Sequence, residues 1–329
     1  MNELIRLRNF GRFSVKKFYS IRCVFVCLAF INVSALVVGC GTESVAIKPR
    51  SSELYEDKAA LVHEVQDMTI DAPSAMNRAN QFLQQGNKDE ALYYYVRALE
   101  FDPKNKEALD RIGDIHAEKG NYEPAKIAYQ LALKQDPMNA DALEGLGLIQ
   151  LNTGSQAEAK QSLAAAVASN PNLWRSSNGL GLIADKNGDY LHAAQYYESA
   201  LKTKPDMPML MNNLGYSKYL SGNWQGAKQL FEAVLRLDSH YNPAWLNLGL
   251  VQVRLGNEDE ALQAFMHVLD EADAYNNLGY IYMMDDKKPD AYQCFEKAIS
   301  LSPTYHKLAN ENLKRLAALE NQEVNQAGY

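Results

Sequence analysis

The side chains that could do chemistry are few and scattered along the 329 residues. Six histidines are present: His63, His116, His192, His240, His267 and His306. None stands in the His-Glu-x-x-His spacing that sets two imidazoles on one helix face, and none pairs with cysteine at zinc-binding spacing. Gly-x-Gly occurs at Gly145-Leu146-Gly147 and at Gly179-Leu180-Gly181. Both lie inside a helical pattern with no strand before them, so they read as packing glycines and not as phosphate cradles. No P-loop or nucleophile elbow is found. The cysteines are Cys23, Cys27, Cys40 and Cys294, and only Cys294 lies in the body of the chain. The body therefore cannot hold an intrachain disulfide, and Cys294, beside Phe295, reads as a small buried apolar side chain. These residues predict no catalytic centre, no metal site, no cofactor and no small-molecule substrate.

Charge separates the chain into two parts. Residues 1–39 hold six basic side chains (Arg6, Arg8, Arg12, Lys16, Lys17, Arg22) and one acid, Glu3. With these removed, the 33 basic and 40 acidic residues fall to 27 and 39, a net of −12. An acidic body argues against nucleic acid, whose phosphates need Lys and Arg. The basic stretch runs into an apolar segment, Cys23 to Val38, followed by Gly39 and Cys40. That order is the grammar of a secretory signal, and the segment is shorter than the ~20 residues a spanning helix needs. Leu36-Val37-Val38-Gly39-Cys40 resembles the lipobox of bacterial lipoproteins. The resemblance implies a signal peptide at 1–39, lipidation of Cys40 by diacylglycerol and a further acyl chain, and, with Gly41 next, the outer membrane. Several acyl chains together anchor a protein stably. The alternative is an uncleaved membrane anchor with an incidental cysteine. Residues 40–71 are expected to be a polar tether, with one short helix possible at 59–70.

The remainder repeats. An alanine recurs at Ala91, Ala125, Ala159, Ala193, Ala227 and Ala261, in steps of 34, and then at Ala291 after 30. Small residues recur at Ala79, Gly113, Gly147, Gly181, Gly215, Gly249 and Gly279. Turn glycines recur from Gly86 to Gly256, with Asp286 in the seventh place. A large side chain recurs at Tyr95, Tyr129, Leu163, Tyr197, Phe231, Phe265 and Phe295. Prolines close most units, at Pro103, Pro137, Pro171, Pro205 and Pro303. Small residues let a second helix approach the first, the turn glycine takes φ > 0 at a helix end, and proline ends a unit.

These series, with Trp245, Leu248 and Gly249 in Trp-x-x-Leu-Gly order, resemble tetratricopeptide (TPR) repeats, whose period is 34. The resemblance implies an all-α superhelical solenoid of about seven helix-turn-helix repeats: 72–105, 106–139, 140–173, 174–207, 208–241, 242–271 and 272–305. A capping helix and tail are expected over 306–329, where Leu308, Leu313, Leu316 and Leu319 form one stripe. The junction after repeat six is four residues short and lacks its proline, which predicts a tilt of the last repeat.

In this family the first helices line a concave groove. The corresponding positions in repeats two and three are acidic: Glu107, Asp110, Asp114, Glu118, Asp141 and Glu144. In repeats four to seven they include Asn178, Asn212, Tyr216, Tyr219, Leu246, Leu250, Asn276 and Tyr280, with Arg175, Leu182, Met209, Val253, Met283 and Met284. Tyrosine and methionine in a groove suit an extended peptide or partner helix, and asparagine can pair with a peptide backbone as donor and acceptor. The acidic half either receives a basic segment or keeps the body soluble. No basic pair is present to clamp a carboxylate chain end.

The combination of lipobox, tether and repeats, and above all the stretch from Asp270 to Leu316, resembles the TadD lipoproteins of tight-adherence (Flp) pilus systems. That resemblance implies a non-enzymatic, membrane-anchored scaffold facing the periplasm, whose partner is a secretin subunit or another pilus-assembly component. A type IV pilus pilotin and an adaptor for peptidoglycan hydrolases are the alternatives.

Overall fold

The computed structural model describes residues 70–302 and 304–327, with side chains to 319. The expected signal peptide, Cys40, most of the tether and its possible helix at 59–70, and Pro303 lie outside the described residues. Among the described residues, all regular structure is helical. Seven antiparallel pairs run α1 (Ala72–Gln84) with α2 (Lys88–Phe101), α3 (Lys106–Glu118) with α4 (Tyr122–Gln135), α5 (Ala140–Asn152) with α6 (Gln156–Ser169), α7 (Trp174–Lys186) with α8 (Tyr190–Thr203), α9 (Pro208–Leu220) with α10 (Trp224–Leu237), α11 (Asn242–Leu255) with α12 (Glu258–Met266), and α13 (Glu271–Met284) with α14 (Lys288–Leu301). A last helix, α15 (Lys307–Ala327), packs on α14 and α13. This is the TPR solenoid, with its seven repeats and terminal helix.

The local chemistry explains the breaks between helices. Asn105 and Asn139 cap α3 and α5, their Oδ1 atoms accepting from the N–H of Ala108 and Ala142 at 3.0 and 3.2 Å. Each first helix ends where the chain turns left-handed. At Gly120, φ is +78°, and the N–H of Asn121 closes back on the carbonyl of His116 at 2.9 Å. In repeat seven the same geometry falls on Asp286, the one non-glycine residue with positive φ (59°) among those described. It is the strained position the missing glycine predicts.

The core is built on glycine under ring. A Cβ added at Gly249 would lie 2.3 Å from Phe265 Cε1, and one at Gly113 would lie 2.5 Å from Tyr129 Cε1. The recurrent alanines and the recurrent large side chains are all buried. Tyr129 also lies against Gly145 of the next repeat, and Leu163 against Gly179, so these two side chains also fill the seam between units. The shortened junction takes its residues from a second helix. α12 has nine residues where the other second helices have fourteen. Beyond its end, His267 stacks on Trp245 with ring centroids 3.7 Å apart.

Two substitutions test this account by thermal unfolding. Gly249→Ala is expected to destabilise by about 1–3 kcal/mol, because Phe265 is buried and cannot yield. Asp286→Gly is expected to stabilise by up to about 1 kcal/mol through relief of the left-handed φ. An unchanged midpoint in both variants would contradict it.

Candidate binding groove

The side of the solenoid that could hold a ligand follows from which helices meet. From α3 onward, each first helix touches the first helix of the next repeat, while successive second helices make at most marginal contact. The first helices therefore form the inner face. All eight residues predicted to line the groove stand on them: Asn178 on α7, Asn212, Tyr216 and Tyr219 on α9, Leu246 and Leu250 on α11, and Asn276 and Tyr280 on α13.

Their surroundings differ from the expectation in three ways. First, the asparagines are tied to one another. Asn213 Nδ2 donates to Asn178 Oδ1 at 2.9 Å, Asn247 Nδ2 to Asn212 Oδ1 at 2.9 Å, and Asn312 Nδ2 of α15 to Asn276 Oδ1 at 3.0 Å. Asn212 and Asn276 are only 8% and 3% exposed. Both halves of these amides were expected to be available to a peptide. The acceptor half is taken by the following repeat or, for Asn276, by α15, while the Nδ2 groups of Asn178, Asn212 and Asn276 donate to no described residue and are not sealed from solvent. Second, Tyr216, Tyr219, Leu246, Leu250 and Tyr280 are half-buried, each packed at the edge of a core cluster. Tyr216 and Tyr219 stack with centroids 5.9 Å apart. Burial first, and then the neighbouring Tyr219, raises the Tyr216 phenol well above its ordinary value. Third, Val253 and Met283 are core residues and not lining, whereas Leu182 and Met284 are exposed.

In the acidic half, several carboxylates have internal work. Tyr129 Oη donates to Asp114 Oδ1 at 2.8 Å, and Asn139 Nδ2 donates to Asp110 Oδ2 at 2.8 Å. Glu144 Oε2 accepts from both the N–H and the hydroxyl of Ser176 in the next repeat, at 3.0 and 2.8 Å. Glu107 and Asp141 remain exposed. The same arrangement recurs outside the acidic half: Tyr95 Oη donates to Asn80 Oδ1 at 2.5 Å and Tyr197 Oη to Asp185 Oδ2 at 2.8 Å. A buried phenol needs an acceptor, and the first helix supplies it. This pairing was readable in principle, because a polar residue stands fifteen or twelve positions before each recurrent tyrosine and an apolar or aromatic one stands fifteen before each recurrent phenylalanine.

Sequence reasoning also missed Arg254. Its Nε donates to Tyr219 Oη at 3.3 Å and its guanidinium pairs with Asp285, so one side chain ties repeats five, six and seven across the shortened junction.

Burial, set against the Asn139 hydrogen bond and helped by the nearby Asp141 and Asp114, raises the Asp110 carboxyl from 3.8 to about 6. Between those values the folded chain keeps a proton that the unfolded chain has lost. This group's contribution therefore falls as pH rises through that window, and the penalty is complete above about 6. Asp110→Asn keeps an acceptor for Asn139 and removes the charge. The variant is expected to unfold at a higher temperature than wild type at pH 7.5, with the gap closing toward pH 3.8. A gap independent of pH would contradict the assignment.

Comparison with known proteins agrees with the helix pairs. Family profiles described as tetratricopeptide repeat match residues 72–105, 272–305, 140–173, 157–208 and 218–278, and one described as TPR repeat matches 113–154. No curated protein matches the sequence significantly. Among solved structures, PilF of Pseudomonas aeruginosa is similar with a TM-score of 0.53 at 21% identity, over 60% of this chain and 90% of its own. PilW, described as a widely conserved type IV pilus biogenesis factor, is similar with a TM-score of 0.52 at 21% identity, over 61% and 96%. The C-terminal part of a TPR repeat-containing protein of Cytophaga hutchinsonii gives 0.54 at 18%, over 71% of this chain and 98% of that part. Likeness at this identity speaks for the fold alone. With matches distributed through 72–305 and seven helix pairs in the same phase, the chain belongs to the tetratricopeptide repeat proteins.

Proposed function

We propose that this protein is a lipid-anchored scaffold of pilus assembly that holds an extended segment of another protein along its first helices. The observation that carries the reading is the strip formed by Tyr216, Tyr219, Leu246, Leu250 and Tyr280, flanked by the amide donors of Asn178, Asn212 and Asn276. Half-buried aromatics held in place by packing lose little entropy on binding, and amide donors give a main chain something to pair with. The lipobox-like Leu36 to Cys40 supports attachment through lipidated Cys40 to the outer membrane, facing the periplasm. The partner class is a secretin subunit or another component of a tight-adherence (Flp) pilus, and the work is binding and placement, not catalysis.

A type IV pilus pilotin is the second reading. It is favoured by the likeness in fold to PilF and PilW.

Three experiments bear on the proposal. Deleting the gene is expected to reduce secretin multimers or surface pili, and normal levels of both would refute the pilus role. Replacing Tyr216 and Tyr280 together by alanine is expected to weaken partner capture by tenfold or more, about 1.4 kcal/mol or above. Unchanged capture by a normally folded variant would move the site off the inner face. For the anchor, Cys40→Ser is expected to abolish incorporation of radiolabelled palmitate; undiminished incorporation would refute lipidation at Cys40.

A further inference from the structure

The asparagine ladder has a regular rule and one exception. In each rung, an asparagine on a first helix, or on α15 at the end, donates its Nδ2 to an Oδ1 on the first helix before it: Asn213 to Asn178, Asn247 to Asn212, Asn312 to Asn276. Between the second and third of these a rung is missing. Asn277 follows Asn276 as Asn213 follows Asn212, so it holds the donor place of repeat seven. The acceptor place before it, in repeat six, is Leu246. Asn277 is 8% exposed, and its Nδ2 is buried with no hydrogen-bond partner. A buried amide without an acceptor is costly, and an asparagine at 246 would supply one. Leucine there instead joins Leu250 and Tyr280 against the same core cluster. Along the inner face the free groups therefore read donor at Asn178, donor at Asn212, apolar at Leu246 and donor at Asn276.

We infer that Leu246 is a specificity-determining residue of the groove: it seats one bulky apolar side chain of an extended partner segment, whose main-chain carbonyls a few residues to either side accept from the Nδ2 groups of Asn212 and Asn276. This inference rests on the groove reading above. The occupant it commits to is an extended peptide with leucine, isoleucine, phenylalanine or methionine at one position. Polar readout on both sides sets the register, and the missing rung sets the residue. A slip of the peptide by one residue turns the apolar side chain away from Leu246, so affinity and register are coupled.

The test uses the full-length protein, its L246N variant and its Y216A/Y280A variant, each panned against phage-displayed random dodecapeptides. Enriched peptides are then synthesised and titrated by fluorescence anisotropy. Wild type is expected to enrich peptides sharing one bulky apolar position. Alanine at that position should weaken binding about tenfold in wild type and leave it nearly unchanged in L246N. Because either change at 246 also removes leucine packing, the L246N midpoint is compared with that of L246A and is expected above it, since the introduced carboxamide gives Asn277 its acceptor. If L246N shows the same alanine loss as wild type, the inference fails while the groove stands. If no peptide enriches, or enriched peptides bind Y216A/Y280A equally well, the groove reading fails and this inference with it. An L246N midpoint at or below that of L246A would overturn the premise that a rung is missing at this place.

Discussion

The close approach of a second-helix ring to a first-helix glycine governs this molecule. No side chain fits between them, since even a Cβ at Gly113, Gly181, Gly215, Gly249 or Gly279 would come within 2.8 Å of the facing ring. The contact fixes how near the two helices lie, and the far side of the ring then meets the next repeat, as Tyr129 meets Gly145. One residue type thus closes the pair and the stack together. Protein interiors are packed too densely for that arrangement to drift, so a small residue under a large one recurs in all seven units, as glycine under a ring in five of them, with alanine at Ala79 and leucine at Leu163 in the other two.

The ring's identity reaches the inner face. Where the ring carries a hydroxyl, as in Tyr95, Tyr129 and Tyr197, the first helix must offer an acceptor, and Asn80, Asp114 and Asp185 do so. Where the large side chain has no hydroxyl, as at Leu163, Phe231, Phe265 and Phe295, the place fifteen residues earlier is free to be apolar or aromatic: Leu148, Tyr216, Leu250 and Tyr280. Part of the change from an acidic to an aromatic inner face follows from this rule of satisfied hydroxyls. Asp110, Asp114 and Glu144 are held by internal donors, which leaves fewer of the acids in that half free for a partner than their number in the sequence suggests.

The departures from regularity gather near one place. The second helix of repeat six is short, the proline is missing, Asp286 bears the strained turn, and the asparagine ladder lacks its rung between Leu246 and Asn277. Arg254 compensates by joining Tyr219 and Asp285 across three repeats. Local sequence agrees with fold almost everywhere else, and conflicts of this kind are expected where a protein has something other than stability to serve.

The sequence by itself determined the repeat count, the helix pairs, the turns and the core. Each depends on residues within one or two turns of helix or one 34-residue unit: glycine where φ must be positive, small residues where helices cross, a large side chain where they close. It also placed Asn178, Asn212, Tyr216, Tyr219, Leu246, Leu250, Asn276 and Tyr280 on first helices, because the phase of the repeat says which helix a residue is on. Only the tertiary structure decided what those side chains have left to offer. An amide bond from Asn247 to Asn212, or from Asn312 to Asn276, spans 35 or 36 residues and depends on the offset between successive units, a quantity that no local pattern encodes. That offset turns a row of asparagines expected to read a peptide with both donor and acceptor into a ladder with donors free and acceptors spent, and it leaves Leu246 as its one apolar gap.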